Sequence, residues 1–125
     1  MSRKILIDAF FGQFASFIDE LVKVFPTDTD FPTYKMALMV LHKTNPMIVI
    51  EQIVIHVLPF EETIKARDEK FFLSHGFSDY MGDDTLGNVI MKMKDRWGSL
   101  TANNKKCVWD FITLLLELTK RVTAK

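Results

Sequence analysis

NPMIVIEQIVIHVLPF, residues 45–60, is the stretch that decides the fold, because its β-branched residues suit a buried strand as well as a helix. On a strand, Glu51 would point to the face opposite Gln52 and His56, so polar groups would lie on both faces. On a helix, the same three side chains fall within an arc of about 140° at 100° per residue. A helix therefore collects the polar residues on one side, and the pattern predicts a helix.

The ends of this segment carry helix signals as well. Asn45 can cap the helix, and Pro46 suits its first turn, where a backbone N–H has no intrahelical partner. Pro59 can bend or end the helix, and the sequence leaves that choice open. Because apolar residues make up most of the segment, we expect this helix to be central and mostly buried.

Helical spacing continues on both sides of this segment. Ser2 can cap a first helix whose apolar residues fall at three- and four-residue steps. Asp83, Asp84 or Thr85 can cap the start of a fifth helix and Gly98 its end, and Thr101 can cap the start of the last helix. Besides the helix that starts at Pro46, the predicted helices cover residues 3–25, 32–44, 61–73, 85–97 and 101–122. No hairpin signal appears, so the sequence predicts an all-α fold, a single compact bundle of about five to six helices in one domain, residues 1–125.

Length and composition are those of one globular domain. The 125 residues are 48% hydrophobic and 26% charged, well away from the composition of disordered chains. Eleven Phe and seven Met indicate a core of aromatic and flexible side chains, with an exposed partner groove as the alternative. The single Cys107 excludes an intramolecular disulfide, and its apolar helical setting predicts a small core or half-buried residue in a reducing compartment.

The sequence gives no sign of a targeting or membrane segment. Asp8 and Gln13 interrupt the apolar residues near the N-terminus and no small-residue cleavage site follows, so we do not expect a signal peptide. The longest apolar stretch, residues 47–60, contains three polar residues and is shorter than the roughly 20 residues that span a bilayer. We therefore expect an intracellular protein that is not secreted and does not bind a membrane.

Catalytic and metal-binding signatures are absent from the sequence. His42, His56 and His75 have no Cys or paired carboxylate at ligand spacing, so no metal site is predicted. The common phosphate, dinucleotide, hydrolase and zinc-protease motifs do not occur, and we expect no cofactor and no enzymatic activity. His75, Asp79 and Tyr80 in the loop at residues 74–84 are the one set that could act as acid and base, although a role in forming the turn explains them better.

Charge is distributed unevenly along the chain. Residues 1–84 contain eight Lys and Arg against thirteen Asp and Glu, a balance of −5, and residues 85–125 contain eight against three, a balance of +5. Basic residues near tryptophans form a candidate interaction face for an acidic protein or for nucleic acid. The face comprises Lys92, Lys94, Arg96, Trp97, Lys105, Lys106, Lys120 and Arg121. Solvated helix faces are the alternative explanation, and a pI near 6.8 weakens the case for nucleic acid.

Three segments carry a resemblance to a group of viral proteins. They are FFGQFASFIDELVKVFPTDTDFPTYKMAL at residues 10–38, TNPMIVIEQIVIHVLPFEETIKARDEKFFL at residues 44–73 and NNKKCVWDFITLLLELTKRV at residues 103–122. Together they resemble small helical proteins encoded by large nucleocytoplasmic DNA viruses of algae and protists, of the phycodnavirus and mimivirus kind. The resemblance implies a viral origin and a setting in the infected cell, cytoplasm or nucleus, or in the virion. It assigns no activity and no role to any residue.

Two functional hypotheses follow from the sequence. The first is a non-enzymatic interaction protein, a virion component or an adaptor, that uses a helical groove or a patch rich in Phe and Met to bind a protein partner or itself. The alternative is a nucleic-acid-binding accessory protein that uses the basic C-terminal third, with binding that weakens steeply as salt rises.

Overall fold

The computed structural model describes residues 2–74 and 85–124, with Thr85 and Leu86 described by their backbone alone. Every regular element in these two ranges is helical, which confirms the predicted all-α class. The α-helices are α1 (Arg3–Val24), α2 (Asp30–Thr44), α3 (Pro46–His56), α4 (Glu61–Lys65), α5 (Glu69–Ser74), α6 (Thr85–Arg96) and α7 (Ala102–Thr123), with 3₁₀ turns at Leu58–Phe60 and Trp97–Ser99. The described chain thus has seven α-helices, and the predicted count of five to six was wrong.

The extra helix arises because the predicted helix over residues 61–73 is broken at Arg67. Arg67 has a φ of 56°, in the left-handed region that an L-residue rarely adopts, and this turns the chain away from the axis of α4. The Arg67 backbone N–H donates to the Ile64 carbonyl at 2.9 Å. The Asp68 carboxylate then accepts from the Phe71 backbone N–H at 3.0 Å, as a capping residue does at the start of α5. The left-handed Arg67 thus ends α4, and Asp68 directly after it caps the start of α5.

Local signals set the other helix ends. Ser2 Oγ accepts from the Ile5 N–H at 3.2 Å and Thr101 Oγ1 accepts from the Asn104 N–H at 3.1 Å, so both predicted caps are present. α2 begins at Asp30, two residues before the predicted start, and Pro32 is therefore its third residue. The first turn of a helix accepts a proline there because its backbone N–H groups have no intrahelical partner.

Pro59 settles the choice that the sequence left open. α3 ends at His56, and Pro59 lies in the 3₁₀ turn that follows, so the proline stands beyond the helix and does not kink it. Gly98, predicted to cap the end of the fifth helix, lies inside the 3₁₀ turn Trp97–Ser99 that follows α6.

The hydrophobic core is built around α1. This helix packs along both α2 and α7, and these two contacts are the most extensive between helices of the described chain. Its buried residues are Phe10, Phe11, Phe14, Phe17, Ile18 and Leu21. The phenylalanines meet edge to face, as Phe10 does with Phe11 at a ring separation of 5.3 Å, or stack on rings of other helices, as Phe17 does on Phe111. Most of the phenylalanines of α1 are therefore structural.

Two burial predictions were wrong. α3 buries Val49, Ile50 and Ile53 but exposes Ile48 and Ile55, so it is half-buried where the sequence suggested a mostly buried helix. A helix that is apolar on most sides does not reveal from its own pattern which side its neighbours cover. Cys107, in the second turn of α7, is exposed.

An apolar cavity of about 70 Å³ lies inside the bundle. It is lined by residues of α1 and α3 to α7, and all of its described lining residues are hydrophobic. Its volume is about half of the 150 Å³ of an engineered apolar cavity that holds benzene, and it offers no polar group to orient a ligand. We interpret it as a gap in the packing.

The left-handed backbone at Arg67 leads to a stability prediction. Both Arg67→Gly and Arg67→Ala remove the ion pair of this residue with Asp110, so a comparison of the two variants isolates the backbone. Because glycine adopts a positive φ without steric cost, we expect Arg67→Gly to be more stable than Arg67→Ala by about 0.5–1 kcal/mol. Urea unfolding followed by circular dichroism measures this difference, and an alanine variant as stable as the glycine variant would contradict it.

Candidate interaction surfaces

The predicted basic face is largely paired with carboxylates from the acidic part of the chain. The Lys92 ammonium lies 3.1 Å from the Asp28 carboxylate and 2.7 Å from that of Asp30, and the Arg96 guanidinium lies 2.8 Å from Asp28. The Arg96 guanidinium also stacks over the Phe25 ring at 5.7 Å. This group, the Asp28 cluster, joins the start of α2 to the end of α6.

Asp28 is the anchor of the Asp28 cluster. Its side chain is only 7% exposed. Burial alone would raise the pKa of Asp28, but hydrogen bonds from the Asp30 backbone N–H, Lys92 and Arg96 outweigh burial and hold it below its ordinary value. The hydrogen bonds that Lys92 donates to the carboxylates of Asp30 and Asp28, that to Asp30 first, raise the pKa of Lys92. Both groups are therefore fixed in their charged forms at neutral pH.

Trp97, which the sequence placed on the basic face, lies in the core. It is 2% exposed and packs against Phe72 and Trp109 at ring separations of 5.2 and 5.5 Å. Its indole N–H donates to the Glu69 carboxylate at 2.6 Å, and Lys105 reaches the same oxygen at 3.2 Å. These bonds, that from Trp97 first, lower the pKa of Glu69. Trp97 is thus a buried anchor for α5, and its ring does not contribute to the surface of the candidate face.

The remaining basic residues of the face are spread over α6 and α7. Lys106 lies 3.0 Å from Asp110 and Lys120 lies 3.0 Å from Glu61. Lys94 is half-buried on α6, and Arg121 is exposed in the last turn of α7. Among the described residues, Lys92, Arg96, Lys105, Lys106 and Lys120 have carboxylate partners, most of them from the first 84 residues. The charge asymmetry of the sequence therefore serves mainly to join its two parts.

The candidate acid–base set, His75, Asp79 and Tyr80, lies outside the described residues. Within residues 2–74 and 85–124, no group of three or more His, Cys, Asp and Glu side chains is placed to hold a metal ion. His42 stacks on Phe11 at 4.5 Å.

α2 carries apolar residues on two opposite faces. Its inner face packs against the core through residues that include Phe31 and Leu38, while Met36, Met39 and Val40 are 69%, 50% and 59% exposed. At 100° per residue, these three side chains fall within an arc of about 100°, opposite the inner face. We call Met36, Met39 and Val40 the α2 stripe. Its helical spacing is visible in the sequence, but the prediction for this helix considered one apolar face and missed the second.

A recess of about 460 Å³ opens beside the end of α2. We call it the basic recess; its lining residues come from the starts of α1 and α3 and the end of α2, and are Arg3, Lys4, Ile7, Asp8, His42, Lys43 and Pro46. One carboxylate, that of Asp8, faces three Lys and Arg side chains. Lys4 bonds to one oxygen of Asp8 at 2.9 Å and His42 Nε2 lies 2.8 Å from the other. These two contacts, Lys4 first, lower the pKa of Asp8.

Length and hydropathy decide whether a helix could cross a bilayer. No single described helix is long and apolar enough to do so. By length and composition alone, α2 and α3 together meet the criterion, and they are bent by 109° at the break between them.

The Asp28 cluster gives a prediction for stability and its pH dependence. We expect Asp28→Asn to destabilise the protein by about 1–2 kcal/mol at pH 7, because Lys92 and Arg96 lose a charged partner. Since the pKa of Asp28 is lower in the folded state, its stabilisation is complete above the unfolded pKa of about 3.9 and is lost as pH falls through the folded value. The gap between the wild type and the variant should therefore close below about pH 4.

The measurement is urea unfolding of both proteins from pH 7 to pH 3. Asp95→Asn, which alters an exposed carboxylate on α6, is the matched control and should change the free energy of unfolding little. A gap between wild type and Asp28→Asn that stays constant down to pH 3 would contradict the role given to the Asp28 carboxylate.

Comparison of the chain with protein-family models, with curated proteins and with solved structures finds no match. The surfaces of this chain are therefore the basis on which a function is inferred.

Proposed function

We propose that this protein is a non-enzymatic protein–protein interaction protein that docks its partner on the α2 stripe. The observation that carries the proposal is the exposure of Met36, Met39 and Val40 on one helical face. Single exposed apolar residues are common on protein surfaces, but a contiguous group is typical of an interaction site.

The distribution of exposed apolar side chains supports this face. Nine large apolar side chains are exposed in the described chain, and the three of the α2 stripe are adjacent to one another at helical spacing. Ile48 and Ile55 lie on α3, and the other four are scattered over α1, α5, α6 and α7. The α2 stripe is thus the densest group on any one helix.

The chemistry of the α2 stripe suits a helical partner. Spacings of three and four residues form the ridge that packs into the groove of a second helix. Methionine has three rotatable bonds and a polarisable sulfur, so it adapts to the shape of the surface it meets. Two of the three residues in the stripe are methionines, which favours contact with apolar side chains of a peptide.

The setting of the proposed interaction comes from the sequence resemblance to proteins of large DNA viruses. A virion component or an adaptor in an infected cell fits a small helical protein with a docking face. This setting is part of the proposal.

The nucleic-acid alternative has less support from the described side chains. Binding to DNA or RNA depends on cations that exchange counterions for phosphates. Five cations of the predicted basic face already contact carboxylates of this chain, which reduces the positive field that a phosphate backbone would meet. The alternative stays a prediction, and binding of an oligonucleotide is the result that would favour it.

A displayed peptide library tests the docking face even though the partner is unidentified. Peptides are selected on the immobilised wild-type protein, and their dissociation constants are then measured on the double variant Met36→Ser, Met39→Ser. Loss of two apolar contacts should weaken binding at least about tenfold. Because both methionines are exposed, the variant should keep the helical spectrum and the melting temperature of the wild type.

The matched control is Met91→Ser, Leu114→Ser, which removes two exposed apolar side chains from α6 and α7. We expect this control to bind the selected peptides as the wild type does. Peptides that bind both double variants and the wild type equally would show that docking does not use the α2 stripe.

A further inference from the structure

We propose that the partner segment is an acidic amphipathic helix, whose apolar side chains cover the α2 stripe and whose carboxylates enter the basic recess. This inference rests on the proposed function, since it names the chemistry of the partner that the α2 stripe receives.

The α2 stripe and the basic recess are continuous through Lys43. Lys43 is seven residues beyond Met36, so at 100° per residue the two lie within about 20° on the same face of α2. Met36 and Lys43 are separated by about 10 Å along the helix at 1.5 Å per residue, roughly two turns. Lys43 also lines the basic recess, so one helix of two or three turns laid along the stripe reaches both features.

The basic recess has more positive charge than its own carboxylate can neutralise. One oxygen of Asp8 accepts from Lys4 and the other contacts His42, so both are engaged. The Arg3 guanidinium approaches the Met47 sulfur at 3.7 Å, and a thioether is a weak acceptor. Within residues 2–74 and 85–124, Arg3 and Lys43 have no carboxylate within ion-pair distance. A carboxylate of the partner would meet both cations.

Several other cations of the chain, unlike Arg3 and Lys43, are paired with carboxylates. Lys92, Arg96 and Lys105 are held by carboxylates of the chain itself. The fold thus neutralises the cations that join its helices and leaves Arg3 and Lys43 at the basic recess without a carboxylate of the described chain. Charge complementarity therefore assigns an acidic occupant to this end of α2.

Three other occupants fit the surface less well. A second copy of the chain docked through the same face of α2 would bring a second Lys43 beside its own α2 stripe, and that face carries no carboxylate. Nucleic acid would find phosphate contacts in the basic recess but nothing for the methionines and Val40. An anionic membrane would bind more strongly to a larger apolar face, since interfacial helices bury apolar residues along most of their length.

The test uses the peptides selected from the displayed library and measures how their binding depends on charge. We expect the selected peptides to carry net negative charge, with acidic residues next to apolar residues at three- and four-residue spacing. Their affinity should fall at least tenfold on Arg3→Glu, Lys43→Glu and should fall less on Arg3→Gln, Lys43→Gln. It should also weaken between about 50 and 300 mM NaCl, which span Debye lengths of about 14 to 6 Å.

The matched control is Lys70→Glu, Arg121→Glu, which makes the same change of charge at exposed residues of α5 and α7. This control should bind the peptides nearly as well as the wild type, because a change in net charge alone acts weakly at a distance through salt. Circular dichroism checks that each variant is folded.

The outcomes separate this inference from the proposed function. Peptides that lose affinity on Met36→Ser, Met39→Ser but are neutral or basic, or bind Arg3→Glu, Lys43→Glu as well as the wild type, would overturn the acidic partner and leave the docking face intact. Peptides indifferent to the methionine variant would overturn both.

Three further measurements test the other candidate occupants, which are a second copy of the chain, nucleic acid and an anionic membrane. Light scattering that shows a dimer abolished by Met36→Ser, Met39→Ser would assign the face to a second copy. Tight binding of a mixed-sequence 20-mer oligonucleotide, or of phosphatidylserine vesicles, that depends on Arg3 and Lys43 would assign the basic recess to phosphate groups. Each of these results would overturn the acidic helix as the occupant.

Discussion

Burial of the phenylalanines of α1 is the constraint on which the rest of the structure depends. Phe10, Phe14 and Phe17 lie on one face of α1, and Phe11 and Ile18 widen that face to an arc of about 120°, so burying all five takes more than one neighbouring helix. α2 and α7 supply those neighbours, and each does so with one face. α2 uses its inner residues, such as Phe31 and Leu38, for this task. The outer apolar residues of α2 are therefore not needed to hold the fold together, and this is the reason that we propose a partner for them.

Ion pairs determine how the second part of the chain meets this core. Each exposed pair contributes little stability on its own, typically below about 1 kcal/mol. The Asp28 cluster is different because its carboxylate is nearly buried and bonds to Lys92 and Arg96 at once. Glu69 acts similarly between Trp97 and Lys105. Acidic residues early in the chain and basic residues late in it thus align α6 and α7 with the helices that precede them, and this pairing removes much of the positive surface that the sequence alone suggests.

Signals that act within one or two turns were predictable, and signals that depend on neighbours were not. Caps at Ser2 and Thr101 and the all-α class followed from local spacing and hydrogen-bonding chemistry. The break at Arg67 was missed, because nothing in the side chain of arginine indicates a positive φ. Trp97 looked like part of a basic surface because lysines flank it in sequence, whereas its helix turns the indole inward toward Glu69. The candidate docking site was missed for the same reason, since only the packing shows which of the two apolar faces of α2 is covered.

The α2 stripe and the basic recess stand out against a structure that is otherwise well satisfied. No buried side-chain nitrogen or oxygen in the described residues lacks a hydrogen-bond partner, and most cations of α6 and α7 have carboxylates. An apolar face exposed to water carries a cost in solubility that a polar substitution would remove without touching the core. Arg3 and Lys43 could likewise be replaced without loss of an ion pair within the described chain. The α2 stripe and the cations Arg3 and Lys43 are thus not needed by the fold, and their position at one end of α2 is the reason that we propose one partner for both.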